Sequence, residues 1–207
     1  MEKKLSLEAV RILGVLIEKE LSTPDYYPMT VNALVNGCNQ KSNRFPVVEY
    51  GEITVIRALD ELYTERLSGH ASVAGGRAEK YRHAAAQHWS LDVPSLAVLA
   101  SLTLRGAQTV GELRTHTTRM ASFQSMEEVA DVLQALSNRE EPLVVQVGRR
   151  AGQKGVRFAH LLSGEPIQDE EATGPPSPTE STADLDELRE RLTRLEAEFE
   201  AFRKQFE

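Results

Sequence analysis

The segment ITVIRALDELYTE at residues 53–65 decides the fold, because a related segment, EEVADVLQALSNR, follows at residues 127–139. In both segments apolar residues recur every three or four positions, as they do in an amphipathic helix. A shorter repeat precedes each of them: TVNAL at residues 30–34 returns as TVGEL at residues 109–113. The two pairs are offset by 74 and 79 residues. The chain therefore contains two related domains in tandem.

A glycine turn follows the repeated helix in each copy, at Gly75 and Gly76 in the first and at Gly152 in the second. Alternating residues on both sides of each turn predict a two-stranded hairpin. The predicted strands are residues 67–74 and 79–84 in the first copy, and residues 143–149 and 156–162 in the second. Each copy thus consists of three helices and a hairpin, which is the order of a winged helix. We expect a mainly α fold with small β-hairpins (α+β), built from two tandem winged-helix domains.

The domain boundaries follow from composition and from the residues that begin and end helices. The first winged-helix domain is predicted at residues 1–86 and the second at residues 91–164. Residues 165–181 are predicted to be an acidic linker, because a segment rich in proline, serine and acids cannot build a core of its own. Residues 182–207 are predicted to form an amphipathic heptad helix. The third helix of the first domain is expected to bury Val55, Ile56, Leu59 and Leu62.

The heptad helix carries a continuous apolar seam. Leucine and phenylalanine recur at alternating spacings of three and four, as in a coiled coil. The seam residues are Leu185, Leu188, Leu192, Leu195, Phe199, Phe202 and Phe206. Because such a helix cannot cover its seam alone in water, we expect it to pair with a second copy, which makes the chain a homodimer. Folding back onto one of the domains is the alternative.

The formal net charge of −7 is concentrated in the tail. From Glu165 onward there are 13 acidic and 5 basic residues, which leaves 18 acidic and 19 basic residues before it. The paired domains are close to neutral, so their overall charge gives no support for nucleic-acid binding, although a local patch would suffice. A single cysteine, Cys38, and the lack of a signal-peptide or membrane-spanning pattern predict a cytoplasmic protein without membrane contact.

The basic residues of the two domains cluster in loops and hairpins, which is where winged helices contact phosphates. The candidate DNA-binding residues are Lys41, Asn43, Arg44, Arg77, Lys80, Arg82, Arg149, Arg150, Lys154 and Arg157. The third helices expose acids instead, among them Asp60 and Asp131, and phosphates repel such side chains. These helices are therefore not expected to read the major groove. The alternative for the hairpins is that their charges only keep them soluble.

The polar run NQKSNR at residues 39–44 has two interpretations. Asparagine and serine in a tight loop cap helix ends, with Arg44 paired to a nearby acid. The same side chains would also suit contact with nucleic acid. The sequence leaves both interpretations open.

Catalysis is not expected. The five histidines show no metal-ligand spacing, and neither glycine turn precedes a helix as a phosphate-binding loop does. His83 and His160 occupy equivalent strand positions, which favours a packing role, and Cys38 is expected to be a small core residue. The sequence thus predicts no catalytic residue, no metal site and no cofactor.

Several segments together resemble the YceH family of bacterial proteins. They are residues 38–47 (CNQKSNRFPV), 105–109 (RGAQT), 111–114 (GELR), 137–140 (SNRE) and 160–165 (HLLSGE). The resemblance covers about residues 5–165 and excludes the heptad tail. It implies a tandem winged-helix fold in the bacterial cytoplasm and brings no catalytic residues.

The predicted fold and the distribution of its charges suggest two functions. The first is a DNA-associated winged-helix protein with a regulatory role, which contacts duplex DNA through its hairpins and the loop at residues 39–46. The second is a non-catalytic protein–protein interaction module, similar to the tandem winged helices of the chromosome-segregation protein ScpB. Duplex DNA and a protein are the corresponding candidate partners.

Overall fold

The computed structural model of the chain describes residues 4–71, 79–148 and 155–166. Residues 1–169 form one compact unit and residues 170–207 a second one, which lies outside the described residues. The predicted heptad helix with its seam from Leu185 to Phe206, and residues 167–181 of the predicted linker, lie outside the described residues. The fold below is that of the first unit.

The first half of this unit contains three helices and a hairpin. The helices are α1 (Leu7–Ser22), α2 (Val31–Cys38) and α3 (Glu52–Thr64), and the strands are β1 (Ser68–Ala71) and β2 (Lys80–His83). Ser6 and Thr30 begin α1 and α2 by accepting a hydrogen bond from a backbone N–H in the first turn, which satisfies a group that a helix start leaves without a partner. A short 3-10 turn, Pro24–Tyr26, separates these two helices.

The second half repeats this order after a four-residue helix. It consists of α4 (Ala85–His88), α5 (Val93–Arg105), β3 (Gln108–Thr109), α6 (Val110–His116), α7 (Met126–Ser137), β4 (Val144–Val147) and β5 (Arg157–His160). Apolar periodicity and capping residues in the sequence predict helices at residues 94–105, 109–118 and 126–138. The observed helices begin and end within two residues of these bounds. The two-residue strand β3 and the short helix α4 were not predicted.

The strand pairing is similar in the two halves. In the first half, β1 runs antiparallel to β2 with Ser68 opposite His83, and Met29 forms a bridge to Tyr81 on the other edge of β2. In the second half the strand order is β3-β5-β4, with Val144 opposite His160. Each half thus pairs a segment between its first two helices with the second strand of its hairpin. The expected combination of helices with small antiparallel sheets is confirmed.

The two halves share one core through α1 and α5. Helix α5 is buried at every position from Ser95 to Thr103, as expected for a helix enclosed by protein on all sides. The backbones of α1 and α5 approach closely at Gly14. A Cβ atom there would clash with Oγ1 of Thr103 and lie 3.0 Å from Cγ of Leu104. Glycine therefore permits the contact that joins the halves.

Helix α3 buries a narrower face than its sequence predicts. Val55, Leu59 and Leu62 are buried as expected, but Ile56 is 43% exposed, so that part of the prediction is wrong. Ala58 completes the buried face instead. Because Ile56 lies about 100° around the helix from Val55, it falls at the edge of that face.

Candidate nucleic-acid interface

The loop that carries the NQKSNR run is closed at its ends by one asparagine. The side-chain amide of Asn39 donates from Nδ2 to the carbonyl oxygen of Tyr50 at 2.9 Å. Its Oδ1 accepts from the backbone N–H of Tyr50 at 2.8 Å. Two hydrogen bonds to one residue fix the distance between the loop ends, so the residues between them form a defined structure.

Arg44 lies at the centre of this loop and points inward. Its Nε donates to the carbonyl oxygen of Gly37 at 3.0 Å, and Nη1 donates to the carbonyl oxygen of Asn43 at 2.9 Å. Nη1 and Nη2 also donate to the two carboxylate oxygens of Glu18, at 3.1 and 2.6 Å. This two-oxygen pairing is the strongest arrangement for an arginine and a carboxylate.

Arg44 is therefore not exposed for the predicted contact with DNA. The residue is 5% exposed, and its side chain is 0% exposed in the pair with Glu18. A guanidinium that is buried and fully engaged by protein acceptors cannot also contact a phosphate. Of the two interpretations of the loop, architecture is the correct one for Arg44.

The neighbours of Arg44 connect the loop to the second half. Arg105, the last residue of α5, donates from Nη2 to Oδ1 of Asn43 at 2.8 Å. The backbone N–H of Phe45 donates to the carbonyl oxygen of Leu104 at 2.8 Å, one of the carbonyls that a helix end leaves without a partner. Asn43 is exposed, but its side-chain oxygen already accepts the hydrogen bond from Arg105.

We call Glu18, Asn43, Arg44, Phe45 and Arg105 the clamp. These residues connect α1, the loop after α2 and the end of α5.

Arg11 lies next to the clamp, and the sequence analysis did not identify it as a functional residue. It lies in the middle of α1, is 4% exposed, and donates from Nη2 to the carbonyl oxygen of Pro46 at 2.6 Å. Burial lowers its pKa, although an arginine remains charged at any physiological pH. Its Nη1 has no hydrogen-bond partner among the described residues. One signal was available: Arg11 is the one charged residue between Ala9 and Ile17.

The first hairpin presents cations to solvent. Lys80 and Arg82 alternate with Tyr81 and His83 along β2, so the two cations share one face of the strand. Arg82 and the loop residue Lys41 are exposed, whereas Lys80 is half-buried. Within residues 4–71, 79–148 and 155–166, none of these three cations forms a salt bridge. They are the predicted DNA-binding residues that the structure leaves available.

The other predicted DNA-binding residues fall into two groups. Arg157 of β5 is half-buried, and its Nη2 donates to the carbonyl oxygen of Ala107 between α5 and β3. Its guanidinium therefore supports the second half internally. Arg77, Arg149, Arg150 and Lys154 lie outside the described residues.

The outward faces of the third helices carry acids and apolar groups beside the donors Arg57 and Gln134. Helix α7 exposes Glu127, Glu128 and Asp131. Helix α3 exposes Asp60 together with large apolar side chains, of which Ile53 is 70% exposed. Acids near phosphates and aliphatic groups without a partner are both unsuited to reading base edges. The apolar character of α3 was not anticipated, because Ile56 was assigned to the core.

The histidines of the two hairpins occupy equivalent positions, as predicted. His83 is buried; its Nε2 contacts the carboxylate of Glu20, and its Nδ1 accepts from the backbone N–H of Ala85 at 3.2 Å. Burial lowers the pKa of His83, and Glu20 opposes that shift. Burial also lowers the pKa of His160, to about 4, so its ring is neutral at pH 7. Cys38 is fully buried, and burial raises the pKa of its thiol to about 12.

Two further features bear on what the described residues can do. No three histidine, cysteine, aspartate or glutamate side chains among them gather closely enough to hold a metal ion. Nor is any helix in that part of the chain both long and apolar enough to cross a membrane.

The family to which the chain belongs follows from its match to known proteins. Residues 5–153 match the family described as "Protein of unknown function, DUF480". The chain belongs to the DUF480 family. It is 50% identical to a UPF0502 protein of Geotalea uraniireducens, over 96% of this chain and 90% of that protein. It is 47% identical to a UPF0502 protein of Geobacter metallireducens, with both chains fully covered. The expected membership of an uncharacterised bacterial family is confirmed at this level.

The DUF480 match begins before α1 and ends after β4, so it contains the whole clamp. It covers the first half of the described unit and the second half as far as β4. The heptad tail lies beyond it.

Proposed function

We propose that the chain is a non-catalytic, DNA-associated protein built from two winged-helix domains, with a regulatory role. The element order supports the winged-helix assignment. In each half a segment between the first two helices pairs with the second strand of the hairpin, as Met29 does with Tyr81 and β3 does with β5. A helix, a short strand, two helices and a hairpin are the parts of a winged helix in their usual order.

The observation that carries the proposal is the unpaired charge of the first hairpin, exposed at Arg82 and half-buried at Lys80. These residues share one face of β2, and neither forms a salt bridge within the described part of the chain. Arg44, by contrast, is the loop cation that is paired with an acid. Cations without counterions on a hairpin are suited to phosphate oxygens, which position a protein on DNA without reading its sequence. Through the repeat, Arg149, Arg150 and Lys154 are assigned the same role in the second hairpin.

The third helices are assigned no base-reading role, because α7 presents Glu127, Glu128 and Asp131 to solvent. DNA association of this kind depends mainly on salt and little on sequence. The resemblance to YceH and the cytoplasmic location agree with this proposal and stay predictions.

Titration of the full chain with duplex DNA at a series of salt concentrations tests the proposal. We expect a Kd below about 10 µM at low salt, and a linear loss of log affinity with log salt concentration, because bound cations displace counterions from the duplex. Duplexes of unrelated sequence serve as the comparison and should bind with similar affinity. No measurable binding at the lowest salt concentration would exclude the proposal.

A second candidate function is the non-catalytic interaction module of the ScpB-like type. One observation favours it: α3 exposes Ile53, Ile56 and Tyr63 where a DNA-reading helix would expose polar donors. Absence of DNA binding, together with association that depends on these side chains, would favour this candidate over the first.

A further inference from the structure

The exposed face of α3 has the spacing of a helix-pairing seam. Ile53, Ile56, Asp60 and Tyr63 are separated by three, four and three residues, which is the a/d spacing of a heptad. The three apolar members are 70%, 43% and 59% exposed, in chain order. Because the opposite side of α3 packs into the core, this seam is a second apolar face on the same helix.

The aromatic end of the seam is held in position. The Tyr63 ring makes an edge contact with His70 of β1, with 5.8 Å between ring centroids. His70 in turn stacks against Tyr81 of β2 at 5.0 Å. A side chain that its neighbours already restrict loses less conformational entropy when a partner covers it.

The two charged residues in the middle of the seam carry opposite charges, so they can pair with the same residues of a second copy. Arg57 and Asp60 are both exposed, and neither forms a salt bridge within the described part of the chain. If two α3 helices meet antiparallel about a two-fold axis near residue 58, each Arg57 lies beside the partner's Asp60. The same arrangement places Ile53 against the partner's Tyr63. A two-fold interface requires a surface that complements itself in this way.

Other pairings of the same face lack this match. A parallel arrangement would bring Arg57 against the partner's Arg57, and like charges across an interface are repulsive. Packing onto α7 would bring Asp60 toward a face that exposes Glu127, Glu128 and Asp131. Of these arrangements, the antiparallel one with α3 brings opposite charges together and places Ile53 against the partner's Tyr63.

We propose that α3 pairs antiparallel with α3 of a second copy of this chain, through Ile53, Ile56 and Tyr63 and through reciprocal contacts between Arg57 and the partner's Asp60. This dimer surface goes beyond the proposed DNA association. It is also separate from the seam predicted for the heptad tail. Covering α3 would leave the cations of the hairpins to contact phosphates.

Charge exchange in the full chain tests the proposal. Sedimentation of the Arg57→Asp and Asp60→Arg single variants should show self-association weakened about tenfold or more, because each change places like charges together twice. The double variant, Arg57→Asp with Asp60→Arg, should restore association to within about threefold of the unaltered chain, since it restores opposite charges. Asp131→Arg on α7 is the matched control and should change nothing. Helix content by circular dichroism confirms that the variants fold.

Disulfide formation tests the geometry even where a second interface keeps chains together. A mixture of Ile56→Cys chains with Asp60→Cys chains should form a mixed disulfide faster than either variant alone, because a disulfide needs Cα atoms within about 7 Å. Cys38 is fully buried and does not interfere. Single charge variants that weaken association together with a double variant that restores it, or a preferred mixed disulfide, support the proposal. A double variant as weak as the single ones, or unchanged association together with no mixed disulfide, would overturn it.

Discussion

Replacing Arg44 with alanine is expected to lower the free energy of unfolding by about 3–5 kcal/mol, the range found when one partner of a buried ion pair is removed. The substitution leaves the carboxylate of Glu18, which is 18% exposed, without its bidentate partner. It also leaves the carbonyl oxygen of Gly37 without the hydrogen bond from Nε. Urea unfolding followed by circular dichroism measures the change.

Two variants make this experiment specific to the clamp. Lys41→Ala changes an exposed cation of the same loop and should alter stability by less than about 0.5 kcal/mol. Glu18→Gln keeps the shape of the acceptor and removes its charge, so it should be less destabilising than Arg44→Ala. If Arg44→Ala is no less stable than Lys41→Ala, the clamp does not hold the halves as described.

The second large effect is expected at the contact between α1 and α5. In an exposed helix, alanine is more favourable than glycine by about 1 kcal/mol. At Gly14 the added methyl group would clash with Oγ1 of Thr103 and press against Leu104. Gly14→Ala should therefore lower the free energy of unfolding by about 2 kcal/mol, a typical cost of overpacking a core.

Gly111 of α6 provides the matched control for this change. A Cβ atom there would meet Cε of Met126 at 3.8 Å, an ordinary van der Waals distance. Gly111→Ala should therefore be neutral or stabilising by up to about 1 kcal/mol. The opposite sign of the two substitutions, measured in the same urea series, is the prediction. A stabilising Gly14→Ala would show that α1 and α5 are not in close contact.

Local patterns predicted the local elements well. Short-range periodicity and turn residues predict the repeated helical segments and the hairpins, because both signals lie within a few neighbouring positions. The bridge between Met29 and Tyr81 and the two-residue strand β3 are too short to carry such a pattern. Their positions depend on pairing with strand residues that are distant in the sequence.

The candidate site was predicted less well, because its chemistry depends on distant partners. Arg44 and Glu18 are 26 residues apart, and Asn43 and Arg105 are 62 residues apart. No local pattern distinguishes an arginine that will be paired in this way from one that will face solvent. Arg82 illustrates the opposite case, since it was named from its place in the predicted hairpin and is exposed. The tail seam from Leu185 to Phe206 stays a prediction.

In the proposed function, DNA is held by the hairpins and is not read by the helices. The most direct test is the salt dependence of DNA affinity for three variants of the full chain. They are Lys80→Ala with Arg82→Ala, the triple alanine variant at Arg149, Arg150 and Lys154, and Gln134→Ala on the exposed face of α7 as the control. Each hairpin cation that contacts a phosphate should reduce the slope of log Kd against log salt concentration by about 0.9 when removed. Flatter slopes in both hairpin variants and an unchanged slope in the α7 variant are predicted; hairpin variants that bind with the original affinity and slope would contradict the claim.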